Sequence, residues 1–390
     1  MPLPISTKPD HAHWRDLYYD VVQTGLCTGC SGCVVVCPHQ VLDYKNLTPI
    51  QTLDTIDNCV HGEKGCDTCA RACPRIGYGA VDIDKLLFGR EKEAHELCGI
   101  YDEIVFARTR DPRVLERTQD GGIASTLAIW ALESGQIDGV LTSSNGASWH
   151  PLDSGAYLAT DAEGILAGGM SRYTYVPTPL PLKQAVKDGY SKLALMAVPC
   201  QTEFVRKLMT TKVKKYYSRV ALIIGLLCSE TFEFEPFITE TMVEKRGVDV
   251  NEVRKINIKG KVIVYPKDGG EPVSIPLKEV RPMARSHCHH CPDFTAEHAD
   301  LSLGGLGQDG WTLTLIRTEV GHTFWEGLKQ SGLIEVRRAE DEPQVLELMD
   351  KLAIKSRKRV VAAGDTWYQR EQPLPPELMP EPAAAQGALT

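Results

Sequence analysis

The stretch Cys27-Thr-Gly-Cys30-Ser-Gly-Cys33-Val-Val-Val-Cys37-Pro38 decides how the first part of this chain must fold. Its cysteines follow a C-x2-C-x2-C-x3-C-P spacing, in which three thiolates on a tight glycine-containing loop wrap one corner of a cubane. The fourth, a turn further on and followed by proline, points away toward a second cluster. A second run, Cys59-x6-Cys66-x2-Cys69-x3-Cys73-Pro74, repeats the pattern with four extra residues between its first two cysteines. An insertion there lengthens a loop and leaves the Cys-x2-Cys-x3-Cys-Pro part intact. The spacing therefore pairs Cys27, Cys30, Cys33 and Cys73 on one [4Fe–4S] cluster, and Cys59, Cys66, Cys69 and Cys37 on the other. Structural zinc also uses Cys-x2-Cys pairs, but zinc gives no reason for two complete runs that each end in Cys-Pro.

The rest of the composition agrees with a metal-binding intracellular chain. Of 390 residues, 43% are hydrophobic and 24% charged, which excludes disordered and collagen-like classes. Thirteen cysteines are more than a reducing compartment leaves idle. The polar and aromatic start, MPLPISTKPDHAHWRDLYYD, lacks the apolar run of an export signal. The longest apolar stretch, Val220 to Cys228, covers less than half of the roughly 20 residues that span a bilayer. The expected location is the cytoplasm, with any membrane association peripheral, at its inner face and through a partner. A net charge of -8 with pI near 5.8 argues against nucleic-acid partners, since neutralising phosphates needs a basic surplus.

After the cysteine-rich unit the pattern predicts a helix between about Val81 and Gly99, then alternating strands and helices. Asp102 to Arg108 reads as a strand. Asp120-Gly-Gly opens an apolar helix with Ile123, Leu127, Trp130 and Ala131 on one face and Gly135 as its stop. Ile137 to Thr142 and Lys192 to Val198 read as strands, Pro199 to Thr202 as a turn, and Glu203 to about Met209 as a helix. Val220 to Leu227 is a buried strand and Phe232 to Arg246 a helix. Val253 to Pro276 is β-branched and glycine-punctuated, as in hairpin strands around Lys259-Gly260-Lys261. The expected fold is mixed α/β: a two-cluster ferredoxin-like domain over residues 1–85, then an α/β domain in two parts, 86–190 and 191–365. The Pro- and Ala-rich tail, 366–390, is expected to be disordered.

Five cysteines remain. Cys200 and Cys228 each sit where a predicted parallel strand runs out, the edge at which α/β sheets collect ligands. Cys288-His-His-Cys291 supplies a further Cys-x2-Cys. Spacing alone leaves three readings open: buried apolar thiols at Cys200 and Cys228, a zinc pair aided by His287, His289 or His290, or a third four-thiolate cluster. Cys98 has no partner at motif spacing and reads as a buried thiol.

The segments QDGGIASTLAIWALESGQIDGVLTSS (119–144), AVPCQTEF (197–204), GLLCSETF (225–232) and CHHCPDFTAEHADLSLGGLGQDGWTLTLIRTEVG (288–321) resemble the family of coenzyme F420 hydrogenase and dehydrogenase beta subunits. The likeness covers roughly residues 100 to 320. The double-cluster unit before it resembles the electron-input subunit of F420H2 dehydrogenase. The resemblance implies an FAD- and iron–sulfur-binding domain that exchanges hydride with the deazaflavin coenzyme and passes single electrons onward. It also implies cluster ligation by Cys200, Cys228, Cys288 and Cys291. For the flavin, the Asp120-Gly121-Gly122 helix start suits a pyrophosphate, with Ser125 and Thr126 adding hydroxyls and Arg172 and Tyr173 holding phosphate or the flavin edge. An ordinary glycine-rich helix start and a solvated loop are the alternatives for these. Pro199, Gln201 and Thr202 would join ligand Cys200 to the flavin, and Asp309-Gly310-Trp311 would close over the ring unless Trp311 is core. Hydride transfer between stacked cofactors needs distance and orientation, so no catalytic side chain is named.

The expected partners are reduced coenzyme F420 and an electron acceptor: a ferredoxin, a quinone-reducing complex or another dehydrogenase subunit. Two other functions compete. One is a ferredoxin-dependent reductase of chlorophyll-type tetrapyrroles, which the same family includes, although those relatives have a simpler cysteine set. The other is a non-catalytic iron–sulfur electron-transfer subunit. Because ligating thiolates outweigh the charge of their cores by about two negative charges per oxidised four-iron cluster, isoelectric focusing should place the loaded protein at lower pH than the metal-stripped one.

Overall fold

The computed structural model describes residues 12–77, 79–144 and 155–362, the side chains as far as 359. The tail expected to be disordered lies outside the described residues beyond 362. The N-terminal lobe contains a short antiparallel hairpin, β1 (Leu42–Lys45) with β2 (Thr48–Gln51). It is built mainly on two short helices, Gly32–Val36 and Thr68–Ala72. Each helix ends at a cysteine followed by proline, Cys37-Pro38 and Cys73-Pro74. A residue before proline is driven out of the helical region, and both cysteines are: ψ is 111° at Cys37 and 119° at Cys73. The duplication in the sequence is thus a duplication of helix ends that turn a thiol away from its own loop. Trp14, 1% exposed, anchors this lobe, and its indole N–H donates to the Ile56 carbonyl at 2.9 Å.

The rest of the chain supplies β3 (Glu103–Thr109), β4 (Gly139–Ser143), β5 (Ala156–Ala159), β6 (Leu193–Ala197), β7 (Val220–Leu226), β8 (Val253–Ile258), β9 (Lys261–Pro266), β10 (Val273–Pro276), β11 (Leu301–Gly304), β12 (Thr312–Ile316) and β13 (Ile334–Arg338). Eight form one mixed sheet in the order β13-β3-β12-β11-β7-β6-β4-β5. Its centre, β4-β6-β7-β11, is parallel, and the flanking strands pair antiparallel. The apolar runs of β6 and β7 suit central parallel strands covered on both faces. Because β3 and β4 lie in the same sheet as β6 to β13, residues 86–190 and 191–365 are two parts of one fold. The remaining strands make a separate antiparallel sheet, β10-β9-β8, with its own core around Phe237, Ile256 and Val262.

The fold is mixed α/β, as expected, with three differences in detail. The helix after the cysteine-rich lobe runs only over Ala80–Phe88, because Gly89 takes a left-handed conformation (φ 69°) and stops it. The Pro199–Thr202 segment is not a turn but the first turn of the Pro199–Thr210 helix; proline at the first helical position forfeits no intrahelical hydrogen bond. The helix over Glu235–Glu244 is wound as a π-helix, closed by the Lys245 N–H on the Glu240 carbonyl. The Ile123–Glu133 helix matches the sequence reading, with Ile123, Leu127 and Ala131 fully buried.

The two lobes share a core in which Cys30, Val35, Val36 and Ala72 pack with Leu195, Ala197, Phe204 and Val205. Gly32 lies so close to Phe204 that a Cβ would overlap the ring. Gly32→Ala should therefore destabilise the protein by about 1–3 kcal/mol through overpacking. A denaturation cycle with Phe204→Leu should show positive coupling, the double variant recovering part of the loss.

Candidate iron–sulfur and flavin site

Burial and mutual proximity sort the thiols of the N-terminal lobe into two sets. Cys33 is pushed well above its ordinary value by burial and then by Cys27, Cys30 and Cys73. Burial also takes Cys30 up to about 11 and Cys73 up to about 12, again with Cys27 as a neighbour. Cys69 is raised by burial and then by Cys66, Cys37 and Cys59. Cys73 therefore lies with the first loop and Cys37 with the second, the crossing that the two Cys-Pro helix ends produce. Cys69 also acts on Cys33, more weakly, so the two sets adjoin.

A third set forms at the carboxyl edge of the main sheet. Cys200 follows β6 at the start of its helix, and Cys228 follows β7, held by its N–H on the Phe294 carbonyl at 2.9 Å. Cys288 lies in the 3-10 turn Ser286–His290, and Cys291 closes that turn. All four line one cavity with Tyr175, Pro199, Thr231 and His287. Burial, then Cys291 and Cys228, hold the Cys200 thiol well above its ordinary value. The Thr231 N–H donates to Cys288 Sγ at 3.4 Å. His287 is 2% exposed and pushed well below its ordinary value by burial, so it is neutral, whereas His289 is exposed. Among the described residues no three His, Cys, Asp or Glu side chains close around a single ion. Cys98 stands apart, its thiol donating to Asp350 at 3.4 Å.

Residues beyond the cysteines themselves join the first and third sets. Gly29 (φ 73°) is enclosed so that a Cβ would stand 3.1 Å from the Tyr44 hydroxyl and 3.2 Å from the Tyr175 ring. Tyr44 donates to the Gly29 carbonyl at 2.5 Å. The Tyr175 hydroxyl lies 4.0 Å from Cys200 Sγ. Glu203, 1% exposed, is close enough to raise Cys30, Cys200 and Cys291 behind the larger effect of burial. Arg75 and Arg285, 3% and 5% exposed, pull Cys27 downward against burial. Gly29 lies inside the first cysteine loop, and Arg75, Glu203 and Arg285 stand within three residues of a cysteine, whereas Tyr44 and Tyr175 carry no such signal.

The Asp120-Gly121-Gly122 turn lies between the main sheet and the small one. Gly121 is packed against β3 and β12, where a Cβ would meet the Ala107 carbonyl and stand 2.6 Å from the Thr312 nitrogen; Gly122 has φ 74°. These glycines thus serve packing and conformation, while the helix start that they form has no side-chain cap. Burial raises Asp120 to about 6, with Lys255 and Lys259 opposing it. Gln119 fixes the turn to the small sheet through the Ile256 carbonyl at 2.7 Å and accepts from the Ser171 N–H at 3.3 Å. Arg172 is buried, which brings it down to about 10. Tyr173 has φ 57° and a phenol raised by burial, then by Asp120 and, more weakly, by Cys228, so it stands between the turn and the third thiol set.

Other expected contact residues face inward. Ser125 is buried, and the Thr126 hydroxyl donates to the Gly122 carbonyl at 2.9 Å. Gln201 binds the Val176 carbonyl at 2.6 Å and the Thr178 hydroxyl at 2.9 Å, and Thr202 donates to the Pro199 carbonyl at 2.8 Å. Asp309 pairs with Lys259, and Trp311 carries the Arg337 guanidinium 4.3 Å above its ring. No helix among the described residues is long and apolar enough to cross a membrane.

Comparison with known proteins agrees with this architecture. Residues 26–91 match the 4Fe-4S dicluster domain, residues 104–183 the N-terminal part of the coenzyme F420 hydrogenase/dehydrogenase beta subunit, and residues 190–342 its C-terminal part. A subunit of the F420H2 dehydrogenase of Methanosarcina mazei is 31% identical over 346 residues, 87% of this chain and 91% of that protein. The coenzyme F420 hydrogenase subunit beta of Methanothermobacter thermautotrophicus is 33% identical over 72% of this chain and 99% of its own length. A chain of the solved F420-reducing NiFe hydrogenase complex from Methanosarcina barkeri superposes with a TM-score of 0.66 at 31% identity, covering 70% of this chain and 95% of that one. With its sheet, its four segments and its cysteine lobe all matched, this chain belongs to the oxidoreductase family of coenzyme F420 hydrogenase/dehydrogenase beta subunits and carries a 4Fe-4S dicluster domain ahead of the family region.

Proposed function

We propose that this chain is the subunit that exchanges electrons with reduced coenzyme F420 and relays them through three [4Fe–4S] clusters to a partner. The carrying observation is the order Asp120 turn, Tyr173, third thiol set, Tyr175, first set, second set, in which Tyr175 touches both Cys200 and the Gly29 loop. In this reading Cys200, Cys228, Cys288 and Cys291 hold the cluster that receives electrons first. Their all-sulfur donor set in one cavity fits an iron–sulfur cluster better than a buried apolar role. Cys27, Cys30, Cys33 and Cys73 hold the next, and Cys37, Cys59, Cys66 and Cys69 the last. The exit is at the second set, where Pro38–Gln40 and Thr52–Ile56 are exposed beside its ligands.

An FAD fits the uncapped helix start at Gly122, with Arg172, Lys255 and Lys259 as the cations that would meet its phosphates, Lys259 exchanging its present pairing with Asp309. Bound FAD supplies the conversion between a two-electron hydride and single electrons. The chain's own part is to orient: Tyr173 and the Pro199–Thr202 helix start hold the wall between flavin and third cluster, and the internal hydrogen bonds of Gln201 and Thr202 keep that wall rigid. The acceptor is a protein of the same electron-transfer complex, as expected for a subunit whose relatives bear subunit names.

Anaerobically reconstituted protein should contain about twelve iron and about twelve sulfide with one bound FAD, and should oxidise reduced coenzyme F420 with a dye acceptor. No deazaflavin oxidation with FAD and clusters intact would overturn the reading. In Cys228→Ala, about four irons should be lost; stopped-flow absorbance should then show flavin reduction by the deazaflavin persisting while dye reduction falls to background.

A further inference from the structure

We infer that Arg285 is a cation shared by the first and third clusters, placed between them so that its guanidinium N–H groups donate to cluster sulfur and raise both reduction potentials. This rests on the ligand assignment proposed above. Arg285 is 5% exposed, and its Nε and Nη1 groups are buried with no hydrogen-bond acceptor among the described residues. It forms an ion pair with the half-exposed Glu233, whose carboxylate, 3.7 Å from Nε, is beyond hydrogen-bond reach and leaves these donors unmet. A buried guanidinium with unsatisfied donors is tolerated only where an anion meets it. Each oxidised four-thiolate cluster supplies about two negative charges.

The placement is fixed from both sides. The Arg285 N–H donates to the Thr231 carbonyl at 2.9 Å, and the Arg285 carbonyl accepts from the Cys288 N–H at 2.9 Å, which ties the residue to the third set. The next side chain, Ser286, donates to the Gly25 carbonyl at 3.0 Å, two residues before Cys27. The guanidinium carbon sits 4.6 Å above the ring of Tyr175, whose hydroxyl reaches Cys200. Cys27 and Cys288, one from each set, are both raised by burial and both drawn back by this guanidinium. A fixed positive charge and N–H···S donors favour the reduced, more negative form of a cluster.

The test is an anaerobic, EPR-monitored redox titration of the fully reconstituted chain, with iron and sulfide counted in the same samples. In R285Q the first and third clusters should each lose about tenfold in their reduction equilibrium constant, equivalent to about 59 mV for a one-electron couple. The cluster of Cys37, Cys59, Cys66 and Cys69 should keep its potential and serves as the internal reference. R285K, which keeps the charge but not the planar fork, should shift the same two clusters by less. Unchanged potentials in R285Q, or an equal shift of all three clusters, would overturn the assignment. If R285Q does not load, R285K decides alone: a shift confined to the two clusters supports the assignment and unchanged potentials overturn it. A wild-type count of about eight irons would instead overturn the third-cluster reading, and the shared cation with it.

Discussion

The rest of the structure depends on how closely the first cysteine loop approaches the helix that leaves β6. Gly32 against Phe204, and Gly29 between Tyr44 and Tyr175, bring two lobes of different architecture into one packed core. A side chain at either glycine would separate the thiols on the loop from those at the sheet edge. In the relay proposed above, electron transfer weakens steeply with separation, so a contact that looks like ordinary packing would also set its rate. The glycines of the Cys-x2-Cys-x2-Cys loop consequently answer two demands: wrapping a cubane and admitting an aromatic wall from the other lobe.

A second constraint holds the far side of that contact. Phe294 to Asp300 is buried throughout although half of it is polar. Asp300 takes Arg206 at 2.7 Å, the Thr318 hydroxyl at 2.6 Å and the Ile223 N–H at 2.8 Å. Burial opposes ionisation of Glu297, yet Arg357 and Lys92 hold it down to about 2. His298 meets Asp84, on the helix that leaves the N-terminal lobe, at 3.0 Å. Removing one partner of such a set leaves a buried charge unpaired, which costs far more than a surface ion pair gives. The segment therefore fixes Cys291 relative to the sheet, the N-terminal lobe and the C-terminal helix Pro343–Ala362 at once.

The parts of this molecule that are legible in its sequence are those governed by local rules. Thiol spacing and the proline after each fourth cysteine are local, and so are the strand periodicities of β3, β4, β6 and β7. Charge composition predicts too long a helix after the lobe, because it gives no weight to the single Gly89 that ends it. Pro199 suggests a turn, although proline is equally at home at the first helical position. The Asp120 turn is legible as a glycine-rich helix start, but not the reason for Gly121, which is the proximity of β3 and β12. Arg75, Glu203 and Arg285 each lie within three residues of a cysteine, but the roles of these residues and of Tyr175 between sets stay hidden, because the sets become neighbours only when the sheet is assembled.

The crossing of the two Cys-Pro helix ends has a consequence for how the protein is made. Since Cys73 stands with the first loop and Cys37 with the second, the first thiol set waits for residue 73 and the second for residue 69 to leave the ribosome. Both sets are then present within a few residues of each other, while more than two hundred residues that complete the third set are still unmade. The thiols of the N-terminal lobe are therefore all present in the chain well before the strand and helix against which Cys30, Val35 and Val36 pack. The sheet-edge set is complete only once Cys291 has been added, so its four thiols meet last of the three sets.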